Sequence, residues 1–168
     1  MTELRILTVR QPWAWAIIHG GKDVENRVRN IAGDWRGKIA IHVGLQVEGS
    51  PLDRRVAEAA GALSRAKSPA MQHVVSQIGM PDLPGWKVPP FYGNRGAIIG
   101  VVDLVDVHHL DSAACYDDTE YAEDGMYHLI LKNPRPLAEP IPYRGALGLR
   151  RLDEETTAAI WPQIGCAS

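Results

Sequence analysis

Ionisable and aromatic side chains are concentrated in one stretch of nineteen residues, QPWAWAIIHGGKDVENRVR, at positions 11–29. Within it, Lys22, Glu25 and Arg27 follow a pair of glycines at short spacing. An ammonium, a carboxylate and a guanidinium in one short segment could hold a phosphate, move a proton or polarise a water molecule. The stretch is therefore the first candidate for a functional site.

A short helix followed by a strand is predicted to position these three groups. Pro12 suits the first turn of a helix, where its missing N–H needs no partner. The pair Gly20–Gly21 is predicted to end that helix. A strand is then predicted over 22–28, so that Lys22 stands at its entry, near the negative end of the helix.

Two tryptophans on the helix are predicted to have different roles. Trp13 shares a helical face with Ile17 and is predicted to be a core residue. Trp15 points to the opposite side and is the better candidate to meet a ligand. A base stacked on an indole ring gains about 1–3 kcal/mol without sequence-specific contacts.

A second candidate group lies in the most apolar part of the chain. The stretch 96–107, GAIIGVVDLVDV, is apolar on both faces except at Asp103 and Asp106, which predicts a central, mostly buried strand. A carboxylate in such a strand needs a partner. Asp103 is therefore a candidate catalytic group that would share one solvent-reachable hollow with Lys22. The alternative is a structural aspartate bonded to backbone amides or to Arg27.

Basic side chains of the first forty-two residues are candidates for phosphate and base contacts. Beside Lys22, they are Arg10, Arg27, Arg29, Arg36, Lys38 and His42. They could line one basic groove, or be scattered over a solvated surface. His42 alternates away from the apolar side of its predicted strand and could face the cleft, although a plain surface histidine is the commoner outcome.

Composition predicts one soluble domain over 1–168, since 45% hydrophobic and 23% charged residues suit one core. The formal charge of -2 argues against a strongly basic nucleic-acid protein. However, the segment 111–124 holds six acids and no Lys or Arg, which leaves the rest of the chain net basic. We expect an acidic loop at about 110–125 and a second irregular loop or insertion at about 66–95.

Other classes of protein are disfavoured. Cys115 and Cys166 are too few and too far apart for a metal-site pattern or a disulfide framework. The adjacent His108 and His109 would point to opposite faces of a strand, so we predict no metal, and no cofactor is expected. No stretch resembles a signal peptide or a membrane span, which predicts a cytoplasmic protein without a membrane partner.

The order of elements predicts an α+β fold. Strands are predicted near 4–9, 22–28, 37–43, 96–107, 127–131 and 145–152. Helices are predicted beside the tryptophans, over about 53–66, over 71–78, and after Asp153 as far as Pro162. Prolines at 134, 136, 140 and 142 should confine the chain to extended, edge or turn conformations. Because strands outnumber helices without regular alternation, a small, partly open β-barrel with flanking helices is favoured.

Four segments of the chain resemble the ASCH domain, the activating-signal-cointegrator homology domain of the PUA-like superfamily. They are LTVRQPWA at 7–14, GKDVENR at 21–27, RGKIAIH at 36–42 and GAIIGVVDL at 96–104. The segment GALGL at 145–149 is similar to the last strand of that family. The resemblance implies a mixed, mostly antiparallel barrel whose cleft beside the tryptophan helix binds RNA or another nucleic acid.

Some members of that family act as hydrolases, on RNA or on acylated cytidine. In the amidohydrolase-like members, a lysine, a threonine three residues later and an acid in the central strand form the working set. Lys22 and Asp103 fit this set, but Glu25 stands where the threonine belongs, which favours an ion pair over an activated hydroxyl.

Two functions follow as expectations. The first is an RNA-binding module, with DNA as the second choice of nucleic acid and with ribonuclease activity as an option. The alternative is a small amidohydrolase acting on acylated (modified) cytidine nucleosides. In either enzyme Lys22 and Asp103 would form the catalytic centre and Glu25 would modulate it.

Overall fold

The computed structural model describes residues 3–11, 13–47, 94–109, 119 and 121–165. These residues form six strands and two helices, which confirms the α+β prediction. In chain order the elements are β1 (Arg5–Gln11), α1 (Trp13–His19), β2 (Val24–Arg27), β3 (Gly37–Val47), β4 (Ala97–His109), β5 (Tyr127–Pro142), β6 (Leu149–Arg151) and α2 (Glu154–Ile164).

The six strands form one sheet in the order β2-β5-β4-β3-β1-β6. Only β1 and β3 pair in parallel, so the sheet is mixed and mostly antiparallel. Strands β1 and β2 are four places apart in this order, yet Arg27 Nη2 of β2 donates to the carbonyl oxygen of Thr8 in β1 at 2.8 Å. The sheet therefore curls until its β2 edge reaches β1, as the predicted partly open barrel requires.

Each face of the sheet carries its own hydrophobic core. Alternation along β3 separates the two, because Ile39 and Ile41 belong to the core that includes α1, and Ala40 belongs to the core that includes α2. The α1 core contains Ile17, Ile18, Val102, Leu104 and Leu129, among others. The α2 core contains Leu4, Ile6, Val101, Leu137 and Ile160, among others. Side chains of β3 and β4 that point away from α1 therefore lie on the side of the sheet that holds the α2 core.

The proline-rich segment continues β5. Strand β5 pairs with β2 only over 127–130. The prolines at 134, 136, 140 and 142 lie beyond that stretch, where the described pairing of β5 is with β4 alone. A proline cannot donate a ladder hydrogen bond, so it is tolerated where one side of the strand is open. The predicted extended, edge-like conformation is confirmed.

Several boundaries differ from the sequence-based expectation, among them that of β6, which covers Leu149–Arg151 rather than 145–152. Helix α2 runs through Pro162 and ends at Gly165, whose φ is 70°, so the predicted stop at Pro162 is wrong. Pro162 lacks the N–H that would donate to the carbonyl oxygen of Ala158, so the helix forgoes one hydrogen bond there. Strand β2 begins at Val24, and Lys22 lies in the turn before it. The helices predicted at 53–66 and 71–78, nearly all of the 66–95 loop, both cysteines and most of the acidic loop lie outside the described residues.

Candidate nucleobase site

The turn after α1 fixes the position of Lys22. The backbone N–H groups of Gly20 and Lys22 both donate to the carbonyl oxygen of Ala16, at 2.9 and 3.0 Å. Gly21 between them has a φ of 75°, a conformation that side-chain-bearing residues rarely adopt. The predicted glycine stop thus turns the chain back, so that Lys22 lies against α1.

The side chain of Lys22 is buried between two aromatic rings. Only 5% of the residue is exposed, and its ammonium donates to the carbonyl oxygen of Val24. The Nζ atom lies 5.3 Å from the ring centroid of Trp13 and 5.2 Å from that of Tyr121. Both distances suit a cation–π contact. We refer to Trp13, Lys22 and Tyr121 as the lysine–aromatic site.

Burial lowers the pKa of the Lys22 ammonium below its ordinary value. The charges of Glu25, Glu123 and Asp23 act in the opposite direction, and that of Arg27 adds to the lowering. The charges at the site are therefore three carboxylates and two cations, Lys22 itself and Arg27. Together they give the site a net negative character. A bound phosphate would be repelled there, whereas a neutral group with hydrogen-bonding edges would not.

Glu25 is buried beside the lysine but forms its ion pair with Arg27. The distance from Glu25 Oε1 to Arg27 Nη2 is 2.9 Å, and Glu25 is 8% exposed. Arg27 also donates to the carbonyl oxygen of Thr8. Glu25 therefore forms an ion pair with Arg27, and its charge also acts on Lys22, whose pKa it raises.

Tyr121 reaches the site from a segment almost one hundred residues further along the chain. Asn26 Nδ2 donates to the carbonyl oxygen of Tyr121 at 2.7 Å, and the N–H of Glu123 donates to Asn26 Oδ1 at 3.1 Å. Thr119 Oγ1 donates to Asp23 Oδ1 at 2.5 Å. Side chains on both sides of Glu25 therefore hold the Tyr121 segment against β2. Nothing in the sequence around Tyr121 distinguishes it from the other tyrosines outside the predicted strands.

Asp103 lies on the opposite face of the sheet. It pairs in register with Lys38, two residues from Ala40 of the α2 core, whereas Trp13 packs on the α1 core. Its carboxylate accepts hydrogen bonds from Lys38 Nζ at 2.9 Å and Arg135 Nη2 at 2.6 Å. The prediction that Lys22 and Asp103 share one hollow is therefore wrong.

The bonds to Asp103 also remove it from acid–base chemistry near neutral pH. Partial burial would raise the pKa of its carboxyl, but hydrogen bonds from Asn133 and Lys38 and the charge of Arg135 outweigh burial and lower it. The group stays ionised with its oxygens occupied. The expectation that a carboxylate in this apolar strand needs partners is met, with partners other than Arg27.

The two tryptophans of α1 are both half-buried, and they have different neighbours. Trp13 is half-buried on the α1 core, as predicted, yet its ring is the one beside Lys22. Trp15 lies along α1, where its ring centroid is 5.4 Å from that of His19. Its backbone N–H donates to Gln11 Oε1 at 3.0 Å, and the ligand contact expected of its indole ring stays a prediction.

The predicted basic residues do not form one groove. Arg36 donates to the carbonyl oxygens of Gly33, Trp35 and Val107, and Lys38 is engaged by Asp103. Arg10 and Arg29 are exposed. Along β3, Arg36 precedes Gly37 whereas Arg10 lies beside Gly44, a separation of roughly 20 Å at about 3.3 Å per residue.

His42 is buried, with 2% exposure, so neither a cleft position nor a plain surface position describes it. Its Nε2 lies 3.0 Å from the carbonyl oxygen of Tyr143, which can only accept, so Nε2 carries the proton. Its Nδ1 then accepts from Thr8 Oγ1 at 3.2 Å. Burial lowers the pKa of His42, which keeps the ring neutral as a structural link between β1, β3 and the loop after β5.

Within the described ranges, no group of three or more His, Cys, Asp or Glu side chains is arranged to hold a metal ion. Neither described helix has the length and apolar character needed to cross a bilayer.

Comparison with known families assigns most of the chain to a domain family. The family model of the ASCH domain matches residues 7–141, which is most of the chain. The chain belongs to the ASCH domain family. ASCH domains have a PUA-like fold that is generally associated with RNA binding.

Solved structures similar to this ASCH domain include the ASCH protein of Zymomonas mobilis, with 14% identity and a TM-score of 0.43 over 92% of this chain and 91% of that one. A tyrosine-to-phenylalanine variant of the Zymomonas mobilis protein matches with 15% identity and a TM-score of 0.47, over 94% and 96% of the two chains. A serine-to-alanine variant matches with 15% identity and a TM-score of 0.44, over 93% and 92%.

Proposed function

We propose that this ASCH domain binds single-stranded RNA and holds an unpaired base at the lysine–aromatic site. The observation that carries the proposal is the buried ammonium of Lys22 between the rings of Trp13 and Tyr121. Unpaired bases are commonly recognised by stacking on aromatic rings together with hydrogen bonds to their edges. Here the rings supply the stacking surface, and Lys22 supplies a donor to a base carbonyl or ring nitrogen.

The charge around the site supports a base over a phosphate as the group that enters it. Asp23, Glu25 and Glu123 outnumber Lys22 and Arg27 there. A nucleobase is neutral at physiological pH, and its exocyclic amino groups can donate to a carboxylate. The phosphates of the same strand would then lie outside, on more basic parts of the surface.

Titration of a labelled single-stranded RNA by fluorescence anisotropy tests the proposal. Lys22→Met keeps the length and apolar stem of the side chain but removes the donor and the cation. We expect affinity to fall by about tenfold or more, since base-stacking and base-edge contacts contribute about 1–3 kcal/mol each. Lys132→Met is the matched control, because Lys132 is exposed and pairs in register with Asp103, on the face of the sheet opposite the site.

The control variant is expected to bind as the wild type does, apart from a small non-specific electrostatic loss. Equal losses in Lys22→Met and Lys132→Met would mean that RNA is held by general surface charge only. A DNA strand of the same sequence, run in parallel, shows whether the binding is selective for RNA. Circular dichroism of both variants checks that the fold is intact.

A hydrolase is the second candidate function, and the lowered pKa of Lys22 favours it. A lowered pKa increases the unprotonated fraction of the amine, which is the form that can act as a base. Such an enzyme would use Lys22 with Glu25, since Asp103 lies on the other face. Incubation with RNA and with N4-acetylcytidine, followed by product analysis, tests this. Turnover that is lost in Lys22→Met supports a hydrolase, and absence of turnover with retained RNA binding supports a binding module.

A further inference from the structure

Strand β1 continues past the residues that pair with β6. Strand β6 pairs with β1 only over Arg5–Leu7. At the next residue, Arg27 Nη2 donates to the carbonyl oxygen of Thr8 at 2.8 Å, and the N–H of Ala146 donates to Thr8 Oγ1 at 3.2 Å. Thr8 therefore joins β1 to the end of β2 and to the loop between β5 and β6.

Three exposed arginines are gathered around this junction. Arg10, Arg29 and Arg144 are each two residues from Thr8, Arg27 and Ala146, respectively. Two residues of extended chain span at most about 7 Å, so the backbone of each arginine lies within about 7 Å of its own junction residue, Thr8, Arg27 or Ala146. We call Arg10, Arg29 and Arg144 the arginine rim.

The loop that carries Arg144 is held firmly against the sheet. A Cβ atom at Gly145 would lie 2.5 Å from Cε1 of the buried His42 ring and 3.0 Å from Thr8 Oγ1, so the backbone of Gly145 rests directly on these side chains. His42 also donates to the carbonyl oxygen of Tyr143. Residues on both sides of Arg144 are thereby anchored, which fixes where its side chain begins.

The rim is also continuous with the lysine–aromatic site. Arg10 is three residues before Trp13, and Arg27, two residues before Arg29, forms the ion pair with Glu25 beside Lys22. The rim carries three cations, whereas the site has a net negative character. A strand of RNA has the matching division, with anionic phosphates along the backbone and neutral bases beside them.

We propose that the arginine rim binds consecutive phosphates of the RNA strand whose base occupies the lysine–aromatic site. The proposal rests on the proposed function and assigns the path of the RNA strand past the part of β1 that follows its pairing with β6. Guanidinium groups suit phosphates because their donors form paired hydrogen bonds to two oxygens. Leu147, which is 89% exposed in the same loop as Arg144, offers an apolar contact for a sugar or a base along this path.

The dependence of RNA affinity on salt tests the rim. In single strands each phosphate contact contributes about 0.7 to the slope of log K against log salt concentration. We expect Arg29→Ala and Arg144→Ala each to lower that slope by about 0.7, and the double variant to lower it by about twice as much. Lys132→Ala is the control and should leave the slope unchanged.

A second readout separates the rim from the base site. Binding of an uncharged nucleoside, followed by tryptophan fluorescence, should be the same in Arg144→Ala as in the wild type and weaker in Lys22→Met. Unchanged salt slopes in both rim variants, with RNA still bound and still sensitive to Lys22→Met, would overturn the rim and leave the base site standing. A wild type that retains no RNA would overturn both.

Discussion

Replacing Arg27 with methionine is expected to lower the free energy of unfolding by about 3 kcal/mol, the range for breaking a largely buried ion pair. Glu25 would remain as a carboxylate with 8% exposure and without its guanidinium partner at 2.9 Å. The carbonyl oxygen of Thr8 would lose its donor at the same time. Because this bond joins the β2 edge to β1, the curl of the sheet should loosen as well.

Urea denaturation of four proteins measures this effect. Arg29→Met is the matched control, since Arg29 is exposed two residues away and its loss should change stability by less than about 0.5 kcal/mol. The double variant Glu25→Gln/Arg27→Met also removes the charge of Glu25 and should recover part of the loss. A single variant Arg27→Met as stable as the control would show that this ion pair does not close the sheet.

Gly100→Ala is the second substitution with a large expected effect. A Cβ at Gly100 would lie 2.5 Å from Ile18 Cδ1 and 2.9 Å from the backbone oxygen of Arg135. The isoleucine could rotate, but the paired backbone of β5 cannot yield without disturbing the ladder. We expect a loss of about 2–3 kcal/mol from overpacking, and a displacement of α1, which carries Trp13.

Gly44→Ala is the comparison for Gly100→Ala, because both glycines lie inside strands. At Gly44 the nearest atom to a new Cβ is Thr8 Cγ2 at 3.5 Å, an ordinary contact. The substitution should therefore be nearly neutral, within about 0.5 kcal/mol. If thermal unfolding shows the two variants to be equally stable, the close packing of α1 on β4 does not exist in solution.

Local patterns were sufficient to predict the elements that build the site. The glycine pair at 20–21 predicts the end of α1, and Gly21 does adopt the left-handed conformation there. The alternation at Gly37–Val43 predicts β3, and the apolar stretch 96–107 predicts β4. Each depends only on neighbours in the chain, which is why the sequence reveals it.

The predicted partnership of Lys22 with Asp103 failed because it depends on which face of a strand meets α1. Strand β4 is apolar on both sides, so its sequence does not indicate that Val102 and Leu104 face α1 and that Asp103 faces away. The same two-sided burial explains His42. Its position opposite the apolar residues of β3 places it toward a second core layer rather than toward solvent.

Tyr121 could not have been predicted for a different reason. It reaches Lys22 through hydrogen bonds from Asn26 to a segment with no regular structure, and nothing near position 121 in the sequence indicates that contact. Arg144 joins the arginine rim in the same way, through the bond from Ala146 to Thr8. Long-range contacts of irregular segments are set by the fold as a whole.

Photo-cross-linking tests the base site most directly. A single-stranded RNA carrying 5-iodouridine, which reacts with aromatic rings in contact with the base, would be irradiated with the protein and the linked residue mapped by mass spectrometry. The proposed site predicts cross-links at Trp13 or Tyr121 that are lost when unlabelled RNA competes. Cross-links confined to the opposite face, around Lys38 and Arg135, would contradict it.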